Sequence, residues 1–150
     1  MIKDYLFLKS KYFKFDIPTP PAQALAVSAF ALLMMIGGNL SGDTNFPWLS
    51  SGACTLLFLV FNNAVGIFAE NQMKYIQLSL YSFIVLISAL GFAAYLLSGH
   101  SIFDNGGVNR TIFIILVMAN FSLMGLCFMI RNIADFLQKK DEKMHKSGRI

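Results

Sequence analysis

Charge is scarce in this sequence. Only 13% of its 150 residues are Asp, Glu, Lys or Arg, while 56% are hydrophobic; a soluble domain usually carries about a quarter charged residues. The charges that remain leave long gaps. There are 26 uncharged residues between Asp16 and Asp43, and 26 between Asp43 and Glu70. There are 29 between Lys74 and Asp104, and 20 between Arg110 and Arg131. A helix needs roughly 20 apolar residues to cross a hydrocarbon core about 30 Å thick. Each gap holds one span and none holds two.

The shortage of charge also excludes a soluble helical domain, whose helices would carry Lys and Glu along one face. Runs such as Leu56 to Phe61 and Ile112 to Val117 are apolar all round.

Recognisable chemistry is missing too. No CxxC, HExxH, GxxxxGKS/T or GxSxG motif occurs, so no common metal, nucleotide or nucleophile site is indicated. The two histidines, His100 and His145, fall in an outer loop and in the tail, which excludes a bis-histidine haem site. The two cysteines, Cys54 and Cys127, are placed near opposite membrane faces, too far apart for a disulfide, and read as small packing residues. No enzyme activity, cofactor or metal is expected.

What is present sets the topology. Of twelve Lys and Arg, four precede the first span (Lys3, Lys9, Lys11, Lys14), Lys74 follows the second, and six lie from Arg131 onward. Only Arg110 falls elsewhere. That asymmetry is the positive-inside pattern, so both termini are expected in the cytoplasm, with the chain in the cell inner membrane. The net charge of +4 then faces anionic headgroups, and the bilayer replaces nucleic acid as its partner.

The expected fold class is therefore all-α: an integral membrane bundle of four antiparallel transmembrane helices forming one domain. Residues 1–21 form a basic, aromatic leader. Read as a helix, it sets Met1, Tyr5, Leu8, Tyr12 and Phe15 on one stripe, suited to the membrane interface. It is expected to be retained, since Ile36-Gly37-Gly38 makes a poor signal-peptide cleavage site. Pro18, Pro20 and Pro21 break the chain before the first span. The spans cover 22–39, 52–69, 76–97 and 111–130, with Trp48 in the first outer loop. Arg110 and Arg131 bound the fourth span. Residues 131–150 form a basic cytoplasmic tail, helical at first.

Polar residues within the spans are the only candidate sites. Asn62 and Asn63 fall near the middle of span two, Ser88 in span three, and Asn120 with Ser122 in span four. An unpartnered amide in hydrocarbon is costly, so these side chains are expected to face the bundle. Helical spacing predicts inward stripes of Ala24, Ser28, Ala31 and Gly38 on span one, and of Thr55, Asn62, Gly66 and Glu70 on span two. On span three it predicts Gln77, Tyr81, Ser88, Gly91 and Tyr95. Glu70, four residues before Lys74, is positioned for a helical ion pair.

A weak repeat at an offset of 57 carries Leu40-Ser41-Gly42 onto Leu97-Ser98-Gly99 and Asn63 onto Asn120. As two uncharged amides at similar depth, Asn63 and Asn120 are expected to hydrogen-bond to each other and hold spans two and four in register. The leading functional expectation is a non-enzymatic accessory, scaffold or immunity-type subunit, acting through helix contacts with a membrane protein or with its own copies. The alternative is a small oligomeric transporter or channel with a polar route at the midplane.

Overall fold

The computed structural model describes residues 7–9, 16–104 and 107–147. Two short strands, β1 (Phe7–Lys9) and β2 (Asp16–Pro18), pair antiparallel with Leu8 opposite Ile17. Four helices follow: α1 (Pro20–Leu40), α2 (Phe46–Gly66), α3 (Gln72–Ser98) and α4 (Val108–Ser147). Each is long and apolar enough to cross a membrane.

Local chemistry explains where the helices start and stop. Thr19 is extended and its hydroxyl accepts the Ala22 N–H, while Pro20 and Pro21 open α1, where a missing N–H costs nothing. Pro47 opens α2 in the same way. The Asn71 side chain caps α3 by accepting the Lys74 N–H at 3.1 Å. Gly99, at φ 68°, takes the left-handed conformation that ends α3, its N–H bonded to the Tyr95 carbonyl.

Several boundaries depart from expectation. Residues Phe7–Lys9 are strand and not helix, because they find a pairing partner in Asp16–Pro18. Of the stripe proposed for the leader, Met1, Tyr5, Tyr12 and Phe15 lie outside the described residues. Helix α2 begins six residues before position 52, which places Trp48 in its first turn and not in a loop. It ends at Gly66, so Glu70 lies in the connection before α3, and the helix that would have paired it with Lys74 is interrupted. Helix α4 runs to Ser147, absorbing most of the segment expected to be a solvated tail.

Helix α2 is central. Over its most apolar stretch 56% of it is buried, against 22%, 28% and 11% for α1, α3 and α4. Helices α1, α2 and α3 pack on one another, and α4 leans on α2 with only marginal contact to α3. The core gathers Ala31 and Met35 of α1, Phe58 and Leu59 of α2, and Leu86 and Leu90 of α3, with Phe113 and Leu116 of α4. The small-residue stripe of α1 behaves as expected: Ala24 and Ala31 are buried, and Gly38 lies so close to the Phe46 ring that a Cβ there would collide with it.

The exterior is largely hydrocarbon, with Leu33, Val85 and Ile115 all well exposed. Polar side chains such as Gln23, Thr55, Asn62, Ser79 and Asn120 are buried instead. A water-soluble fold has the opposite arrangement; this one suits a multi-pass membrane protein, in which lipid solvates the outside.

Candidate functional site

One cluster of buried polar groups lies at the end of the bundle where β2 enters α1 and α2 gives way to α3. Tyr75, in the first turn of α3, is the hub. Its hydroxyl donates toward the backbone and side-chain oxygens of Asn62, each at 3.1 Å, and accepts from the Gln23 amide at 2.9 Å. Gln23 also donates to the Pro18 carbonyl at 2.9 Å, tying in the end of the ribbon. The Asn62 amide donates onward to the Ser79 hydroxyl. The Tyr75 ring lies against Gly66, where a Cβ would come within 2.9 Å of it. Three helices are thus joined through one phenol, and Ile17 and Ala69 pack around its ring.

Arg131 closes the same end from α4. It is 6% exposed, and its guanidinium donates to the carbonyls of Ala69 and Glu70. These carbonyls follow the end of α2, where backbone acceptors have no helical partner. Glu70 is exposed and contributes its backbone oxygen to this contact.

The remaining candidates separate. Asn63 is buried, but its amide turns back to the Leu59 carbonyl at 2.8 Å. Its own carbonyl accepts from the Cys127 thiol at 3.3 Å. Asn120 is fully buried, and neither atom of its amide has a hydrogen-bond partner. The expected Asn63–Asn120 bond does not form, because α4 meets α2 in a different register. Trp48 packs edge-on against Phe113, and Asn63 meets Cys127, offsets of 65 and 64 and not 57. Asn120 is therefore displaced along the bundle from Asn63 by about two helical turns, roughly 10 Å.

Ser88 is exposed, as are Gln77, Tyr81 and Tyr95. The inward face of α3 is instead Tyr75, Ser79, Ser82, Leu86, Leu90 and Ala94. Ser122 is also exposed and bonds back to the Met118 carbonyl. Each lone hydroxyl in lipid can satisfy itself on its own helix, so it need not turn inward. The sequence reading missed Tyr75, Gln23, Ser79 and Arg131. A signal existed for two of them: Ser79 lies one turn from Tyr75 on the apolar stripe of α3, and Arg131 lies one turn beyond Cys127 on the stripe of Asn120.

Asn63, Gly66, Tyr75, Ser79, Met124 and Cys127 line a narrow cavity of about 10 Å³, room for about one water molecule. Among the described residues, no group of three or more His, Cys, Asp or Glu is placed to hold a metal ion. Compared with protein-family models, curated proteins and solved structures, the chain matches none of them. The geometry itself therefore carries the functional argument. The polar cluster joins α1, α2 and α3 and has little room for anything else.

Proposed function

We propose that this chain is a non-enzymatic membrane subunit whose four helices run antiparallel across the cell inner membrane, with both termini in the cytoplasm. It acts as an accessory, scaffold or immunity-type protein through helix contacts with a membrane protein partner. The observation that carries this reading is the one-sided packing of α4. Only 11% of its apolar stretch is buried, and its 40 residues span about 60 Å, roughly twice the hydrocarbon thickness. Past Arg131 it still presents Ile133, Phe136 and Leu137, each more than half exposed. An apolar stripe continuing beyond the span is a surface suited to another helix.

Photo-crosslinking from residue 133 or 136 in intact membranes tests this reading. A discrete crosslinked product is expected at those positions and not from the lipid-facing Leu33. Identical, diffuse labelling from all three positions would refute it.

A second reading, a small oligomeric transporter or channel, draws on the unpartnered Asn120 amide. It requires solute flux in reconstituted vesicles that Asn120→Leu abolishes.

A further inference from the structure

Helices α3 and α4 are both held by α2 and hardly by each other, and beside Trp48 a furrow runs between them. One part, about 390 Å³, has Ile87, Gly91 and Phe92 of α3 on one side and Trp48 and Phe113 on the other. The second part, about 310 Å³, shares Ile102 and Phe113 with the first and continues along Ile114, Val117 and Met118 of α4.

The second part is almost wholly apolar, whereas Ser88, Tyr95 and Ser101 add polar groups to the first, and the mouth carries a charge. Arg110 lines the second part and is the only Lys or Arg between Lys74 and Arg131. Arg110 lies in the first turn of α4, where backbone N–H groups point outward and the helix dipole favours an anion. The loop carboxylate, Asp104, already accepts from the Ser101 N–H.

Both parts lie open on the side of the bundle, where lipid is the neighbour. An acyl chain needs only a narrow apolar slot. The geometry points to a binding site for an anionic phospholipid, its phosphate at Arg110 and the N-terminus of α4 and its acyl chains in the α3–α4 furrow. Charge complementarity selects the occupant: the mouth offers donors and a cation, and a phosphate supplies the acceptors.

Trp48 is the only tryptophan in the chain and forms part of the furrow wall, so it reports occupancy directly. The full-length protein is reconstituted in phosphatidylcholine vesicles containing a small fraction of phosphatidylglycerol with brominated acyl chains, which quench indole fluorescence on close approach. Quenching several-fold above that given by the same fraction of brominated phosphatidylcholine is expected. Arg110→Gln should remove the excess and leave the phosphatidylcholine signal unchanged, which also shows that the variant is folded.

Gly91→Leu should remove the excess by filling the furrow without touching the mouth; a Cβ there meets Phe113 at an ordinary 3.8 Å. Added inorganic phosphate should not compete, because it lacks the chains. Equal quenching by the two lipids would overturn the site. An excess that survives Arg110→Gln would overturn the headgroup assignment, one that survives Gly91→Leu would overturn the furrow, and one that phosphate abolishes would overturn the need for chains.

Discussion

Cys127 of α4 donates its thiol hydrogen to the backbone carbonyl of Asn63 in α2, at 3.3 Å. This contact sets the two helices level at residues 64 apart in sequence and leaves Asn120 well away from Asn63. The two amides that look like partners in the sequence do not interact.

Asn63→Leu and Asn120→Leu are therefore expected to be additive in stability, with a coupling energy within about 0.5 kcal/mol of zero. The single changes should differ in sign. Asn63→Leu removes a buried bond and should cost about 1 kcal/mol. Asn120→Leu removes an unpartnered buried amide and should be neutral or stabilising by about 1–2 kcal/mol. Reversible unfolding in mixed detergent micelles measures all three variants, and strong non-additivity would restore the direct pair.

Neighbouring glycines should respond in opposite ways. A Cβ at Gly37 meets nothing within 4 Å, whereas one at Gly38 collides with the Phe46 ring. Gly37→Ala should leave stability unchanged or raise it by up to about 1 kcal/mol through helix propensity. Gly38→Ala should cost about 1–3 kcal/mol by overpacking. Thermal melts of the two variants in one detergent decide the matter, and equal melting temperatures would show that α1 and α2 separate easily there.

Arg131→Met should destabilise the fold by about 2–3 kcal/mol, because two carbonyls lose charge-assisted donors in a dry setting. Arg131→Lys should recover only part of this, since one ammonium cannot reproduce a planar fork bonded to both Ala69 and Glu70. Protease accessibility of the 67–71 connection is the readout. Cleavage should rise in the order wild type, Lys, Met, and a Lys variant indistinguishable from wild type would mean that charge alone suffices.

Topology has its own test. A reporter fused after residue 150 or after residue 71 should read cytoplasm, and one inserted at residue 104 should read the opposite side. A reporter after residue 150 on the same side as residue 104 would overturn the antiparallel four-span arrangement.

The number of helices was legible because charge gaps act over whole spans and do not depend on packing. Buried faces were legible where small residues had to approach a neighbour, as at Ala24, Ala31 and Gly38, or where Thr55 and Asn62 shared a stripe. They were not legible on α3, where Tyr81, Ser88 and Tyr95 made an equally regular stripe that points outward. In lipid the apolar face carries no information about direction, and a serine bonded to its own helix is as comfortable outside as inside. Register between α2 and α4 was hidden for a related reason: it is set by Trp48 against Phe113 and by Arg131 reaching carbonyls beyond the end of α2. Neither contact leaves a periodic trace. Arg131 looked like a boundary marker because positive charge at a span's end normally is one.

Arg131 also divides α4 into two unequal arms. About 35 Å of helix lies on its furrow side and about 24 Å on the other, out to residue 147. Phe113 and Leu116 in the core and Cys127 on α2 all hold the longer arm. Arg131 therefore stands where the anchored length of α4 ends and its protruding length begins.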